Sequence, residues 1–514
     1  MEQVLDYIEA RAADLHGHPL FNWISAGEAP PETRLAAILP GLASFTMGFS
    51  DLNKWPLRYS YPEDELRRGI NSHTFEDQTH SRLYLEDWGR FGLDERLGWH
   101  ASDTLRWLFL AADNEVPRAQ GAYLRALAVA DGGDPLLRFA HSEVIEACGA
   151  VFFTHTAKAA EAVTASTGID YRYLGPYHLA RETGHMECER LFAAQQLNPA
   201  RRRRALDLAD AMFTLFDDLF SSVLRCARSC ATGRQLTRPS TAPARRPGPL
   251  AAWNGSEPAT PPAGTAVHAT QAPLQHLLEK RRDQVARHAF YSWMREAGDA
   301  APLWTLRRFV ATWAMEIMGF RDLVWYALRY PSPHDDLEHQ VNDWAADLQT
   351  HSGLFLADWR ELNLDSLLGW TASETLEFYY LDPLTEAHRR NFITFTELGA
   401  AHPDPVLRLW LVEALEETGL EFFASTAALA TRAETAGGHR LDYLAGRHHL
   451  AHPLGRPVRR PAFKHRPIDA GTYEIAARMI DTAFTVMAEH LDLALEAAIT
   501  DRFGMTAHQE VAQR

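Results

Sequence analysis

Lysine and cysteine are both scarce in this chain of 514 residues. Lysine occurs only four times, and acidic residues give the chain a formal net charge of -16 at pH 7. A general nucleic-acid-binding protein normally carries a basic excess, so we expect no nucleic-acid partner. The four cysteines match no zinc-site spacing and require no disulfide framework; they are Cys148, Cys188, Cys226 and Cys230. We therefore expect reduced thiols in a reducing compartment.

A long apolar run and a leader segment are also missing. The sequence contains no uninterrupted stretch of about 18 apolar residues, which a membrane-spanning helix would need. Its first turns from Met1 are charged and have no apolar segment of the kind found in secretory signals. The sequence therefore predicts a cytoplasmic protein without a membrane segment. Its arginine-rich and alanine-rich composition is typical of a GC-rich bacterial genome.

Strand signals are nearly absent, because β-branched residues rarely alternate with polar ones. Apolar residues instead recur at helical spacing, as between Leu208 and Leu219 in the first half and between Ile475 and Leu491 in the second. With 46% hydrophobic and 11% aromatic residues, the composition is that of a globular protein. We predict an all-α fold built from helical bundles.

The centre of the sequence predicts a linker. Residues 231–272 are dense in Pro, Ala, Thr and Gly and short of periodic apolar residues. Such a segment cannot bury enough apolar surface to offset the entropy lost on ordering, so we expect it to be flexible. It divides the chain into two predicted domains, residues 1–230 and 273–514.

The two halves repeat one sequence. Residues 78–110 match residues 349–381 without a gap, with about half of the positions identical. Further along the chain, Glu146 aligns with Glu416. We interpret the chain as a tandem duplication of a helical unit.

The first half carries a stripe of polar residues in the sequence HLARETGH, residues 178–185. On a helix, steps of four and seven residues bring His178, Glu182 and His185 onto one face. A lone histidine is usually a satisfied core or surface residue, but a buried glutamate usually has a partner. Two imidazoles and a carboxylate on one face therefore predict a metal site.

Other helices of the same half supply candidate partners for this stripe. Asp77 lies about one turn before His80, with His73 and Glu76 near the same face. Glu146 lies among apolar residues on another predicted helix, so we expect it to be buried and paired. Three carboxylates and three imidazoles suit two iron or manganese ions better than one zinc ion.

The second half retains only part of this set. His351 and Glu416 occupy the positions of His80 and Glu146. The third motif is degraded, and Pro453 should break a helix there. At the positions of His178, Glu182 and His185, the second half has His448 or His449, His452 and Gly455. Its first-motif carboxylate is Asp347. We expect a complete metal site in the first half only.

The three motifs are an acidic-x2-His pair, a Glu before Gly-x2-Phe-Phe, and a closing His-x3-Glu-x2-His. Together they resemble the haem-oxygenase-like diiron oxidases and oxygenases, which share their fold with the thiaminase and PQQ-synthase types. The resemblance implies two tandem haem-oxygenase-like bundles that form an internal pseudo-dimer. It also implies two iron ions, one of which can be labile, with manganese as an alternative. The implied metal ligands are Asp77, His80, Glu146, His178, Glu182 and His185, with Glu76 as an alternative to Asp77.

The resemblance implies an enzyme that activates O2 to oxidise a small amine, amino-acid-like or fatty-acid-like substrate. Aromatic side chains near the motifs are expected to exclude water from the site; these are Phe75, Phe152, Phe153, Tyr173 and Tyr177. Two alternatives stay open. One is a cofactor-free, thiaminase-like hydrolase or binding protein that uses Cys148, and the other is a pseudo-dimer scaffold without activity.

Overall fold

A computed structural model gives the structure of the chain, and it describes residues 1–130, 133–181, 188–233, 236, 267–268, 271–447 and 461–504. Almost all of the secondary structure in these ranges is helical, which confirms the predicted all-α class. Nearly all of the predicted linker, residues 231–272, lies outside the described residues.

The described part of the first half contains twelve α-helices, and a short 3-10 helix at Ala112–Asn114 precedes α8. They are α1 (Glu2–Leu15), α2 (Pro19–Ala26), α3 (Pro31–Lys54), α4 (Glu65–Asp77), α5 (His80–Arg90), α6 (Leu93–Leu97), α7 (Ala101–Leu110), α8 (Glu115–Ala130), α9 (Pro135–Thr167), α10 (Pro176–Leu179), α11 (Glu189–Ala193) and α12 (Pro199–Ala231).

The second half shows a similar helix order in its described residues. Its helices are α13 (Ala272–Val285), α14 (Ala289–Ala300), α15 (Pro302–Asp322), α16 (Asp336–Asp347), α17 (His351–Glu361), α18 (Leu364–Leu368), α19 (Ala372–Leu381), α20 (Pro383–Ala401), α21 (Pro405–Gly437), α22 (Pro461–Lys464) and α23 (Ala470–Ile499). A π-helical segment, Leu323–Leu328, continues α15, and a 3-10 turn, Leu348–Thr350, precedes α17. Two residue pairs form an antiparallel ladder between β1 (Val267–His268) and β2 (Ile468–Asp469).

The chain divides into two compact units. Unit 1 comprises Met1–Ser256 together with Thr371–Leu381, and unit 2 comprises Glu257–Trp370 together with Asp382–Arg514. Each unit therefore contains its own set of long helices, and each contains one of the two cavities described below.

A long helix with the same start and stop signals runs through each unit. In α9 the Asp134 side chain accepts a hydrogen bond from the Leu136 N–H, and proline occupies the first helical position. The helix ends at Gly168, whose φ of 73° lies in the left-handed region that glycine adopts without strain. Helix α21 is capped in the same way by Asp404 and ends at Gly438. These signals fix the ends of the two helices that carry Glu146 and Glu416.

Helix α3 has the length and apolar composition of a membrane-spanning helix, but it lies in the core of unit 1. It is the one helix among the described residues that is long and apolar enough to cross a membrane, although polar residues interrupt its apolar run. Of its most apolar 18-residue stretch, 72% is buried inside the protein. Buried helices of soluble proteins pass the same test of length and composition.

Candidate metal centre

The first motif spans a break between two helices. We predicted that Asp77 and His80, with His73 and Glu76, would lie near one face of a single helix, but α4 ends at Asp77 and α5 begins at His80. Both the backbone N–H and the hydroxyl of Thr79 donate to the carbonyl oxygen of Glu76, which ends α4. The His80 Nδ1 then donates to the backbone carbonyl of Asp77 at 2.6 Å. The break between the helices therefore orients the His80 ring, because it lets the Asp77 carbonyl oxygen accept a hydrogen bond from His80 Nδ1.

Asp77 and Glu146 meet through His73 in unit 1. The Nε2 atom of His73 lies 3.2 Å from Asp77 Oδ2 and 3.1 Å from Glu146 Oε1. All three side chains are nearly buried, with exposed fractions of 11% or less. Glu76, the alternative first carboxylate, is exposed, so it is Asp77 that faces the cluster.

The electrostatics of this cluster favour the protonated form of its histidine. Burial alone would lower the pKa of His73, but the Asp77 and Glu146 carboxylates outweigh it and raise that pKa to about 11. A cation between two buried carboxylates offsets much of their desolvation cost. The cluster is thus a place where the fold stabilises positive charge.

His80 and His178 form a second pair beside this cluster. Their ring centroids lie 4.5 Å apart, and Phe153 packs on the His178 ring at 3.9 Å. The Nδ1 of His178 donates to the Tyr173 carbonyl at 2.8 Å, just as the Nδ1 of His80 donates to a carbonyl. Because a carbonyl only accepts, each ring carries a proton on Nδ1, and the neutral form of each ring therefore has its lone pair on Nε2. This is the arrangement that prepares an imidazole for metal ligation.

A buried carboxylate fixes the loop that orients His178. Both Asp87 oxygens accept backbone hydrogen bonds of 2.8 to 3.0 Å, from the N–H groups of Arg172, Tyr173 and Leu174. Burial raises the pKa of Asp87, and these backbone donors oppose the shift. The Tyr173 carbonyl that accepts from His178 is therefore held in place.

An aromatic cavity of about 560 Å³ adjoins these groups. His80 and Glu146 lie on its wall, and most of the other lining residues are apolar. Three of the five aromatic residues expected to exclude water also line it: Phe152, Phe153 and Tyr173. The expectation was wrong for Phe75, which is 54% exposed and lies under a guanidinium group. It was also wrong for Tyr177, whose ring packs against two arginines outside the lining of the cavity.

The closing motif is described only in part. Helix α10 ends at Leu179, and Ala180 and Arg181 form a turn after it. Glu182 and His185 lie outside the described residues.

Four of the six predicted ligands are described: Asp77 and Glu146 converge on His73, and the His80 ring packs against the His178 ring. Of the four, Glu146 and His80 line the cavity. His73 was noted in the sequence but not counted as part of the site. Its spacing of four residues from Asp77 was the signal that could have identified it.

The corresponding cavity of unit 2 has a different partner for the central carboxylate. The indole N–H of Trp344 donates to Glu416 Oε1, and His351 packs edge-on against Tyr443. The second-half residues aligned with the closing motif, including His448 and His452, lie outside the described residues, as does the Asp347 side chain.

The donor set of unit 1 fits iron or manganese. Buried carboxylates together with imidazoles suit those ions, and the carboxylates already enclose a positive charge. The thiol required by the cofactor-free alternative is less suited to its role, since Cys148 is fully buried and burial raises its pKa well above the ordinary value.

Comparisons with known proteins add no information on function, so the chemistry of the unit 1 site is the evidence for it. The sequence matches no protein-family model and no curated protein.

Proposed function

We propose that the protein is a non-haem diiron oxidoreductase of the haem-oxygenase-like type, with its active site in unit 1. The observation that carries this proposal is the convergence of the nearly buried Asp77 and Glu146 carboxylates on His73, with Glu146 and His80 lining one cavity. Buried carboxylates gathered around a positive charge, with oriented imidazoles beside them, are the donor set of carboxylate-bridged metal pairs in helical bundles.

The described ligands would be Asp77, His80, Glu146 and His178, and the closing motif would add Glu182 and His185. Iron held there would supply the electrons and the open coordination positions that O2 reduction requires. The backbone carbonyls that accept from the two imidazoles fix which ring nitrogen faces the ion.

The cavity lining favours a substrate with an apolar portion. Its volume of about 560 Å³ lies within the range of small-molecule sites, and its aromatic walls exclude water from the reacting groups. A fatty-acid-like chain or an apolar amine fits such walls better than a small polar amino acid. The substrate would approach the carboxylate cluster beside His80.

Two proposals on architecture accompany this function. We propose that each half has the haem-oxygenase-like fold and that the pair descends from a homodimer, so that the chain acts as a cytoplasmic pseudo-dimer. The similar helix order of the halves supports a shared ancestry. A monomeric mass in solution is the expected result, whereas an isolated first half that was monomeric, folded and fully active would contradict the pseudo-dimer.

Anaerobic reconstitution with Fe(II) tests the proposed function. Iron per chain is measured first, and O2 is then admitted while oxygen consumption and visible absorption are recorded. His178→Ala should lower the number of bound iron ions per chain by about two and abolish oxygen consumption. His448→Ala, at an aligned position of the second half, should leave both nearly unchanged. A folded wild-type protein that binds no iron in unit 1 would favour the thiol-dependent or scaffold alternatives.

A further inference from the structure

Unit 2 contains a polar trio that the diiron proposal does not use. Glu316 lies on α15, His388 on α20 and His490 on α23. The Glu316 Oε2 atom lies 3.7 Å from His490 Nδ1 and 4.0 Å from His388 Nδ1. The two imidazole rings lie 4.1 Å apart, and one ligand atom from each of the three residues falls within 4.8 Å of the others.

Two members of the trio, Glu316 and His490, replace apolar residues of the first repeat. The sequence Met-Gly-Phe occurs at 47–49 and 318–320, which places Phe45 at the position of Glu316. The Phe-Thr pairs at 213–214 and 484–485 likewise place Leu219 at the position of His490. Both apolar residues line the cavity of unit 1, so a polar cluster in unit 2 replaces apolar lining at the same place.

His388 is buried without the partners that a core histidine normally has. Its side chain is fully buried, and neither ring nitrogen has a hydrogen-bond partner in the part of the chain that the structure describes. Buried imidazole nitrogens are costly when they are left unsatisfied, so such a residue indicates a ligand.

Burial shifts the pKa of all three groups of the trio. Burial lowers the pKa of His388 to about 3 and holds that of His490 well below its ordinary value. Burial also raises the pKa of Glu316 to about 8, which is the response of a carboxyl group without a cation beside it. The geometry of the trio places two imidazole nitrogens and one carboxyl oxygen within reach of a single ion.

Asn391 supports His490 from the side away from Glu316. Its side-chain amide lies 2.8 Å from His490 Nε2, and the residue is buried. A half-turn of this amide would present its oxygen to an Nε2–H and leave Nδ1 as the metal ligand. Metal-bound histidines commonly have such a partner on their second nitrogen.

We propose that Glu316, His388 and His490 bind one divalent transition-metal ion in unit 2. Two imidazoles and one carboxylate are the ligand set of mononuclear iron and catalytic zinc sites, which keep coordination positions open. Glu316 and His490 line a cavity of about 810 Å³, so the open positions would face space for a small molecule. This site does not depend on the diiron proposal, because it shares no ligand with it.

Bond lengths of about 2.0 to 2.2 Å require the three donors to move inward by a few tenths of an ångström. The three ligands lie on long helices, whose side chains can supply a movement of this size by small torsional changes. The helical backbones can therefore stay in place.

Cobalt(II) is the probe for this site, tested in the full-length protein. A Glu146→Ala/His178→Ala background removes ligands of the unit 1 site, and bound cobalt is then measured by equilibrium dialysis and visible absorption. We expect about one ion per chain in this background and a thermal midpoint that rises with cobalt. Adding His388→Gln or His490→Gln, which keep polar side chains of similar size, should abolish both effects.

His351→Gln is the matched control, because His351 lines the same cavity without belonging to the trio. It should leave cobalt binding unchanged. Absence of cobalt in the folded background protein, binding that persists after His388→Gln, or equal loss after His351→Gln would each overturn the trio site. The diiron proposal is tested separately, by iron that the wild-type protein binds and the His178→Ala variant loses. The two proposals can therefore fail independently.

Discussion

The central carboxylate of unit 1 lies beside an imidazolium, and the aligned carboxylate of unit 2 lies beside an indole. His73 holds Glu146 and Asp77 together, whereas Trp344 gives Glu416 a neutral hydrogen bond, and Leu348 stands at the position of Asp77. On another wall of the cavity the difference is reversed, since unit 2 has Glu316 and His490 where unit 1 has Phe45 and Leu219.

This comparison shows that the helical scaffold tolerates a buried polar cluster on either wall of its cavity. Each cluster combines carboxyl and imidazole groups from more than one helix. In unit 1 the His73 imidazole offsets the burial of two carboxylates, whereas in unit 2 both ring nitrogens of His388 are unsatisfied within the described residues. A duplicated unit could therefore lose one site and gain another without changing its helices. The predictions below test this difference at aligned positions.

The largest difference is expected between the two central glutamates. Glu146→Gln removes a metal ligand and one of the two carboxylates beside His73, so iron affinity in unit 1 should fall at least about 100-fold. Glu416→Gln keeps an oxygen that can accept from the Trp344 indole and should leave unit 1 iron unchanged. Iron per chain after anaerobic dialysis measures both. Equal iron loss in the two variants would mean that the units do not differ in this way.

The residues beside the two carboxylates provide the second test. His73→Ala leaves two buried carboxylates without their cation and should destabilise the metal-free protein by about 3 to 5 kcal/mol. Mn(II) should restore much of that stability, because the ion replaces the lost positive charge. Calorimetric unfolding with and without Mn(II) measures the effect.

Trp344→Ala is the matched variant in unit 2. Loss of a buried indole should cost a similar amount, about 3 to 5 kcal/mol, through the cavity that it leaves. Mn(II) should restore less stability here than in His73→Ala, since no pair of carboxylates is left uncompensated. Similar recovery in both variants would contradict the proposed role of His73.

The sequence was informative where a residue type conflicted with its surroundings. Glu146 lies in an apolar helix, and that conflict alone predicted a buried and paired carboxylate. Helical periodicity likewise predicted the all-α class.

Other features depend on contacts that sequence spacing does not contain. Gln78 and Thr79 break the first motif, because a local hydrogen bond ends α4 where the spacing suggested a continuous helix. Glu316, His388 and His490 come from three helices distant in sequence, so no local pattern could associate them. Only tertiary packing brings such groups together.

A smaller effect is expected at the aligned aspartates that hold the loop in each unit. Both oxygens of Asp87 accept backbone hydrogen bonds, so Asp87→Asn would replace one accepting oxygen with a donating NH2 group that faces a backbone N–H, and it should cost about 1 to 3 kcal/mol. Asp358 accepts from the Leu444 N–H through Oδ2, and its Oδ1 has no partner within the described residues. Asp358→Asn can place its amide nitrogen at the position of Oδ1, so it should lower the stability less than Asp87→Asn does. Thermal unfolding of both variants at pH 7 measures the difference.

The pH dependence of unit 2 sharpens this contrast. Burial raises the pKa of Asp358 from 3.8 to about 7, so the unfolded chain releases this proton at lower pH than the folded one. Asp358 therefore contributes most to folding stability below about pH 4. Its contribution decreases as the pH rises toward 7 and is constant above about pH 7. Asp358→Asn should remove this decrease in the unfolding free energy of unit 2. An unchanged pH profile would show that Asp358 is ionised without cost.

The smallest effect is expected at Cys148, whose aligned residue in the second repeat is Thr418. The Thr418 hydroxyl donates to the Leu415 carbonyl within its own helix, so the same bond is available to a threonine at position 148 on α9. Cys148→Thr should therefore change stability by about 1 kcal/mol or less and leave iron binding and oxygen consumption intact. A serine variant, which adds less bulk to the buried position, separates steric effects from loss of the thiol. If both variants bound iron normally but lost turnover of an identified substrate, the thiol would have to take part in the reaction, and the cofactor-free alternative would regain support.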